Sequence, residues 1–575
     1  MVDLDRAAGY LRGIYGPDRT PAVLERLSAL CHKYEHLPAQ QPPPRFGEAD
    51  SILIAYPDQV HTPENSPLAC LADFAESFVG DSITGLHLLP FFPSSSDDGF
   101  AVKDYRLVDP SYGTWGDIQA LGRNYRLMFD AVLNHASTSS AWFQGFLAGD
   151  PAYADYFIRV AGSPDLTKVV RPRTHPLLTR LGPSGREQTL WTTFGPDQVD
   201  LNYRNPDVLL EIIDLLLYYV ACGATIIRLD AIAYLWKDLG TTCIHCGQTH
   251  LIVKLFRAVF DGLAPQAALL TETNVPQQDN FAYFGDGTDE AHLIYNFPLA
   301  PLVLHALHSG DAGKLQSWAA NMEWPGDTAT YFNILASHDG IGLNPARGLL
   351  TEVEIEGLIA DVQAARGLVS SRSNADGTSS PYEINANYFD ALARPGENFD
   401  VDLAVRRFLT AHAILLAFKG LPGIYFHSLV GSRGWSEGVR ETGRNRSINR
   451  QKLDLRNLAA ELSNPHGRRA RIHAGLQHLL RVRRGQEAFS PWAAQHVLAA
   501  GGSLFVLARG ADRPQDEILC VHNVSSDAQA LSCDSWPAAS SAAGVRDLIS
   551  GRMIDWSRYG TIALAPFQSV WLRIE

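Results

Sequence analysis

Eight short apolar runs, most of them separated by helical patterns, constrain this chain more than any other feature. They are Ser51–Tyr56, Gly85–Phe91, Tyr125–Leu133, Ala224–Asp230, Ala268–Thr273, Ala291–Phe297, Thr330–Ser337 and Gly423–His427. Each is apolar over four or more residues, as strands buried on both faces of a parallel sheet must be. Helical spacing of apolar residues fills the intervals, clearly so over Pro206–Cys222 and Thr249–Leu263. Eight such strands alternating with helices predict an α/β fold, a closed (β/α)8 TIM barrel.

The 575 residues exceed what a bare barrel of roughly 250 needs. Two gaps are too long for simple strand-to-helix loops. One is the Pro/Gly/Arg-rich stretch 136–205 after strand three. The other is 340–395 after strand seven, with a polar segment Ser370–Ser380. Insertions after those strands open onto the barrel face where active sites form. Residues 4–36 have helical spacing and end before the Pro-rich stretch Pro38–Pro44, in which Pro42-Pro43-Pro44 cannot continue a helix, so a linker or an extended arm is expected there. From about residue 488 the pattern turns to short strands, Ser503–Leu507, Glu517–Val521 and Ser569–Ile574. The small-residue stretch Ala538–Ala543 is expected to be a loop. The expected organisation is an N-terminal helical arm and linker (1–48), a barrel in three parts (49–135, 206–339, 396–487), two inserted subdomains (136–205, 340–395) and a C-terminal β-domain (488–575).

Lys and Arg total 48 and Asp and Glu total 62, a net charge of −14. That balance argues against nucleic acid or an anionic membrane as the partner. It leaves room for a small anionic substrate held by local cations. The longest apolar segment, Val208–Leu229, is interrupted by Glu211 and Asp214 and reads as a buried helix running into a strand. The N-terminus shows no basic region followed by an apolar stretch, and seven scattered cysteines suit a reducing compartment, so a cytoplasmic protein is expected. Cys243-Ile244-His245-Cys246, with His250 nearby, lacks the second pair that a zinc site uses, and is read as loop without metal.

Carboxylates end several strands. Arg228-Leu229-Asp230 closes strand four, Thr271-Glu272-Thr273 strand five and His338-Asp339 strand seven; Asn134-His135 follows strand three, and Asp97 follows strand two. One Asp after a strand is ordinarily a helix cap. The set is different, because glycosyl transfer needs two carboxyl groups in opposite protonation states flanking one anomeric carbon. Arg228, two residues before Asp230, projects to the same side of the strand and is expected to keep the Asp230 pKa low. Glu272 has no adjacent cation and is expected to rise by burial.

The segments Asp130–His135, Ile227–Ala231, Leu270–Glu272 and Ala336–Gly342 resemble the four signature regions of the α-amylase clan of glycoside hydrolases. The segments His87–Pro93, Lys237–Thr241, His338–Gly342 and Asn445–Arg450 are similar to the sucrose phosphorylase branch of that clan. The resemblance implies Asp230 as nucleophile, Glu272 as general acid/base and Asp339 as transition-state stabiliser. It implies that Arg228 orients Asp230, that Asp97, His135, His338 and Arg446 hold the glucosyl ring, and that Phe100 is an apolar platform. For a retaining reaction the Asp230 and Glu272 carboxyl groups should lie roughly 5–5.5 Å apart. Phosphate would be the second nucleophile, and α-D-glucose 1-phosphate the product.

A phosphorylase must bind an anion, and the first insertion carries Arg171-Pro172-Arg173 followed by His175. Arg suits bidentate contact with phosphate or carboxylate. The resemblance places Arg173 at the phosphate and acceptor subsite. Tyr382-Glu383-Ile384-Asn385 corresponds to an acceptor loop in which sucrose-splitting members have Gln at the position of Glu383. That departure, with the runs Thr271–Pro276, Asp289–His292 and Tyr382–Phe389, resembles the glucosylglycerate phosphorylase group. The implied reaction is phosphorolysis of 2-O-α-D-glucosyl-D-glycerate, with Arg173 or His175 meeting the glycerate carboxylate. Alternatives are sucrose or sucrose 6′-phosphate phosphorolysis, a retaining α-glucosidase or transglucosidase, and a catalytically dead barrel used for binding. The partners expected are an α-glucoside, phosphate and an acceptor, with no cofactor, no metal and a monomer or homodimer. Asn134 is a metal ligand in many α-amylases, but no oxygen-ligand cluster accompanies it in sequence.

Overall fold

The computed structural model describes residues 2–37, 46–374, 376–394, 400–510, 516–536, 539, 544–556 and 560–575. All eight apolar runs become barrel strands: β1 Ile52–Ala55, β2 Gly85–Leu88, β3 Arg126–Val132, β4 Ala224–Asp230, β5 Ala268–Thr271, β6 Leu293–Tyr295, β7 Thr330–Asn333 and β8 Leu421–Tyr425. They close in the order β1-β8-β7-β6-β5-β4-β3-β2, every pair parallel. Their residues are almost all buried, which explains runs that are apolar without alternation. β7 stops at Asn333, short of the expected Ser337. β8 starts early, at Leu421-Pro422, paired to Phe332 and Asn333. Proline is tolerated there because it sits at the strand's first turn of pairing, where its missing N–H disrupts least.

The helical spacing over 4–36 resolves into two helices, Leu4–Tyr15 and Thr20–Lys33. The break is Gly16-Pro17, where Gly16 adopts φ 81°, a left-handed backbone that other residues resist. Both helices lie on the outside of the barrel. Arg6 pairs with Asp261 at 3.2 Å, and Lys33 with Asp214 at 2.7 Å. The proline run 42–44 lies outside the described residues, as does 538–543 apart from Ala539.

After β3 the chain forms an antiparallel pair, His135–Ser137 with Gln198–Asp200, and a hairpin, Leu178–Leu181 with Gln188–Trp191. Val169, Leu177, Trp191 and Cys243 make a small core of their own there. After β7, helix Glu352–Ala364 is fixed at its start by a capping box between Thr351 and Glu354. It leads into an antiparallel hairpin, Leu368–Ser373 with Ser379–Asn385. The polar segment Ser370–Ser380 is therefore the outer part of that hairpin. Its inner end pairs Glu383 with Gly342 and Ile384 with Ile341, holding the hairpin over the barrel mouth.

The C-terminal part is a six-stranded sheet in the order Ala494–Leu498, Leu504–Gly510, Ile518–Asn523, Ser569–Ile574, Val545–Asp547, Met553–Ile554. A two-stranded ribbon, Gln529–Ser532 with Thr561–Leu564, accompanies it.

Candidate active site

The pocket lies at the C-terminal ends of the strands. Asp230 is the last residue of β4 and Glu272 directly follows β5. The pocket is lined by ten of the thirteen sequence-predicted residues: Asp97, Phe100, His135, Arg173, Asp230, Glu272, His338, Asp339, Tyr382 and Arg446. Arg228 lies buried beneath it. His175 and Glu383 line an adjoining outer cavity that shares Asp97, Arg173 and Arg446 with the inner one.

Arg228 organises the floor. Its Nη1 donates to Asp230 Oδ1 at 2.7 Å and to Asp130 Oδ1 at 2.5 Å, its Nε donates to the Tyr295 hydroxyl at 3.1 Å, and its Nη2 is 3.9 Å from Glu272 Oε2. Asp130 is fully buried and also meets His87 Nε2 at 2.7 Å. Burial alone would push the Asp130 carboxyl up, but His87 and Arg228 hold it at about 2. One buried guanidinium thus serves three carboxylates, and truncating it would strand uncompensated charge at a cost of about 3–5 kcal/mol.

Burial also dominates the two carboxylates expected to be catalytic, Asp230 and Glu272. It pushes the Asp230 carboxyl up to about 6, because Asp130 and Asp339 add repulsion and Arg228 only partly opposes them. The expectation that Arg228 keeps this pKa low is therefore corrected. Arg228 does pull it down, but it is shared with Asp130, and desolvation wins. Glu272 is pushed up to about 7 by burial and by Asp230 and Asp339, while its Oε2 accepts the Ala231 N–H at 3.1 Å. Near neutral pH the pair can hold one ionised and one protonated carboxyl, the state that general-acid attack with a carboxylate nucleophile requires.

Asp339 differs. Burial pushes its carboxyl up, but Arg446 and Arg450 outweigh it and hold it far below the usual range. Arg446 Nη1 is in close contact with Asp339 Oδ1, and Arg450 Nη2 is 3.5 Å away. Burial keeps His338 and His135 neutral. His338 stacks on Phe100 with centroids 4.9 Å apart and planes 4° apart. His135 Nε2 bonds the Phe100 carbonyl at 2.9 Å. Asp97 projects from a strained turn: Asp97, Asp98 and Gly99 have φ of 57°, 49° and 106°. A Cβ at Gly99 would meet the Pro90 carbonyl oxygen at 2.8 Å, so the turn requires glycine.

Sequence reasoning missed Phe194, Gln198, Tyr234, Asn274 and Phe297, which also line the pocket. Gln198 Nε2 donates to Asp97 Oδ2 at 3.1 Å. Phe194 and Tyr382 flank the Arg173 guanidinium at 5.7 and 5.9 Å. Asn274 stood within the Thr271–Pro276 run, two residues after Glu272, and Phe297 closed the sixth apolar run; the other three carried no signal. Arg173 pairs with no carboxylate within 4 Å among the described residues, although its charge helps to lower the Glu383 carboxyl; its side chain bonds the Pro172 carbonyl at 3.4 Å. Arg171 instead bonds the His175 carbonyl, and His175 Nε2 meets the Thr192 carbonyl at 2.9 Å. Burial lowers the His175 pKa, so it is a poorer cation than Arg173.

Asn134 Oδ1 and Asp200 Oδ2 both contact Lys237 Nζ, at 2.7 and 2.5 Å, and the Tyr234 carbonyl oxygen lies against the same ammonium. The chain's own cation meets these converging oxygens. Among the described residues no group of three or more His, Cys, Asp or Glu is placed to hold a metal. In the Cys243–Cys246 segment, Cys243 Sγ donates to the Asp238 carbonyl at 3.3 Å and His250 Nδ1 turns to Glu290 at 3.0 Å. No helix among the described residues is long and apolar enough to cross a membrane.

Residues 81–339 match the α-amylase catalytic domain family. The chain is 44% identical to the glucosylglycerate phosphorylase of Spirochaeta thermophila over 100% of its own length and 99% of that protein's. It is 46% identical to the glucosylglycerate phosphorylase of Escherichia coli K12, over 84% of this chain and 86% of that one. A crystal structure of the sucrose 6F-phosphate phosphorylase from Thermoanaerobacter thermosaccharolyticum superposes with a TM-score of 0.72 at 25% identity, covering 85% of this chain and 96% of that one.

Proposed function

The chain belongs to the α-amylase family, in the branch that holds the glucosylglycerate and sucrose phosphorylases, and from that premise we propose that it is a retaining phosphorylase of 2-O-α-D-glucosyl-D-glycerate. Asp230 attacks the anomeric carbon while Glu272 gives its proton to the oxygen of the departing glycerate. Asp339 faces the positive charge that develops on the ring. Phosphate then attacks the glucosyl-Asp230 ester from the acceptor side and releases α-D-glucose 1-phosphate. Two inversions preserve the α-configuration.

The observation that carries the acceptor class is Arg173. It stands at the junction of the inner and outer cavities, braced by two aromatic rings and without a carboxylate partner among the described residues. Glycerate and phosphate are both anions, and a guanidinium with spare donors suits each in turn. Every residue invoked comes from one chain, so a monomer or a homodimer serves equally. A cytoplasmic location is part of the same reading, supported by seven free thiols.

The test is phosphate release from α-D-glucose 1-phosphate with D-glycerate, glycerol, fructose or fructose 6-phosphate as acceptor. Release is expected to be fastest with D-glycerate. Release with fructose alone would overturn the glycerate assignment, and glucose formation with no acceptor dependence would favour a hydrolase.

A further inference from the structure

Glu383 lies on the loop that corresponds to the acceptor loop of the sucrose phosphorylase branch, but its carboxylate is already engaged within the protein. It is 1% exposed. Its Oε1 accepts from Arg446 Nε at 2.8 Å and its Oε2 from Arg446 Nη2 at 2.8 Å, a bidentate fork on the edge of the guanidinium. Asn385 Nδ2 donates to Oε1 at 3.0 Å. The remaining nitrogen of Arg446, Nη1, is thereby held in close ionic contact with Asp339 Oδ1, which no N–H donor among the described residues otherwise satisfies. The backbone holds Glu383 in that place: it pairs with Gly342, three residues past Asp339, and a Cβ on Gly340 would meet Glu383 Cγ at 3.0 Å.

We infer that Glu383 is a positioning residue, which locks Arg446 against Asp339 and takes no part in reading the acceptor. A glutamine could make at most one of the two fork bonds, since its amide nitrogen is a donor facing a donor. Arg446 would then keep its charge and lose its fixed direction. The consequence falls on the glucosyl side, at Asp339. It also explains why Arg446, though cationic and at the rim of both cavities, is not the group that meets an anionic acceptor: two carboxylates already neutralise it, whereas Arg173 has none among the described residues.

This inference rests on the reading of the inner pocket as a glucosyl-transfer site, and α-D-glucosyl fluoride tests it without assuming any acceptor. Fluoride leaves readily, and water suffices as second substrate, so the assay works for a phosphorylase or a hydrolase. For Glu383→Gln, kcat on the fluoride should fall by roughly 10- to 100-fold, the penalty expected of a misplaced stabilising group. The same fall should appear in kcat for transfer to D-glycerate and to neutral glycerol, with KM for D-glycerate changed by less than about threefold. Glu383→Asp keeps the charge and should recover part of the loss. The inference is overturned if fluoride hydrolysis is unchanged while KM for D-glycerate rises tenfold or more, because that pattern belongs to an acceptor contact. Wild-type enzyme that uses the fluoride but never D-glycerate would instead refute the acceptor assignment and leave this test intact.

Discussion

Below and within the inner pocket Arg228 and Arg446 have their carboxylates, whereas Arg173, where the inner cavity opens to the outer one, pairs with none within 4 Å among the described residues. Arg228 serves Asp130 and Asp230; Arg446 serves Asp339 and Glu383. The charges there fix geometry and protonation state. In the outer cavity, Arg173 is held by rings and a carbonyl, and Arg444 is exposed without a carboxylate partner among the described residues. Those donors are left for something that comes and goes. A net charge of −14 is therefore no obstacle to anionic substrates, because the decisive cations are few and local.

The sharpest way to break this comparison is at Asp230. Asp230→Asn removes the nucleophile, and turnover with every acceptor should fall by roughly 10⁴-fold or more. Near-normal turnover, measured by phosphate release, would remove the inner pocket from the chemistry. Arg173→Ala probes the other region. KM for D-glycerate and for phosphate should rise by about 10- to 100-fold while glycerol and glucosyl fluoride change little, since a charge-assisted bond is lost only where an anion sits. Equal losses with neutral and anionic acceptors would show that Arg173 merely supports the fold.

The pH profile sharpens the inner half. Asp230 must be ionised, and its carboxyl is pushed up to about 6, so the rate falls as pH drops through 6. Glu272 must be protonated, and it is pushed up to about 7, so the rate falls as pH rises through 7. In a double displacement the donor's kcat/KM reports only the first half-reaction, and should lose about tenfold per pH unit beyond either limb. A flat profile from pH 5 to 8 would contradict the burial argument. The smallest effect is expected away from both cavities. Lys33 is 57% exposed on the N-terminal helices, and Lys33→Ala should change stability by less than about 1 kcal/mol in denaturant unfolding, with kinetics unaltered.

The barrel was legible because parallel strands buried on both faces must be continuously apolar, and all eight runs say so. The proposed catalytic trio was legible because Asp230 ends β4, Glu272 directly follows β5 and Asp339 lies six residues past β7. Phe194 and Gln198 were not, since they sit in the first insertion, where no periodicity marks which residues turn inward. The Arg446–Glu383 fork joins residues 63 apart, and sequence carries no sign of it. The Asp230 pKa was misjudged for a related reason. Arg228 is visible two residues away, but Asp130 competes for it from another strand, and burial is a property of the folded chain.

The central claim is best tested by following 2-O-α-D-glucosyl-D-glycerate with enzyme and phosphate by ¹H NMR. The account predicts α-D-glucose 1-phosphate and D-glycerate in equal amounts, formed only when phosphate is present. Free glucose released at the same rate without phosphate, or β-D-glucose 1-phosphate as the first product, would contradict it.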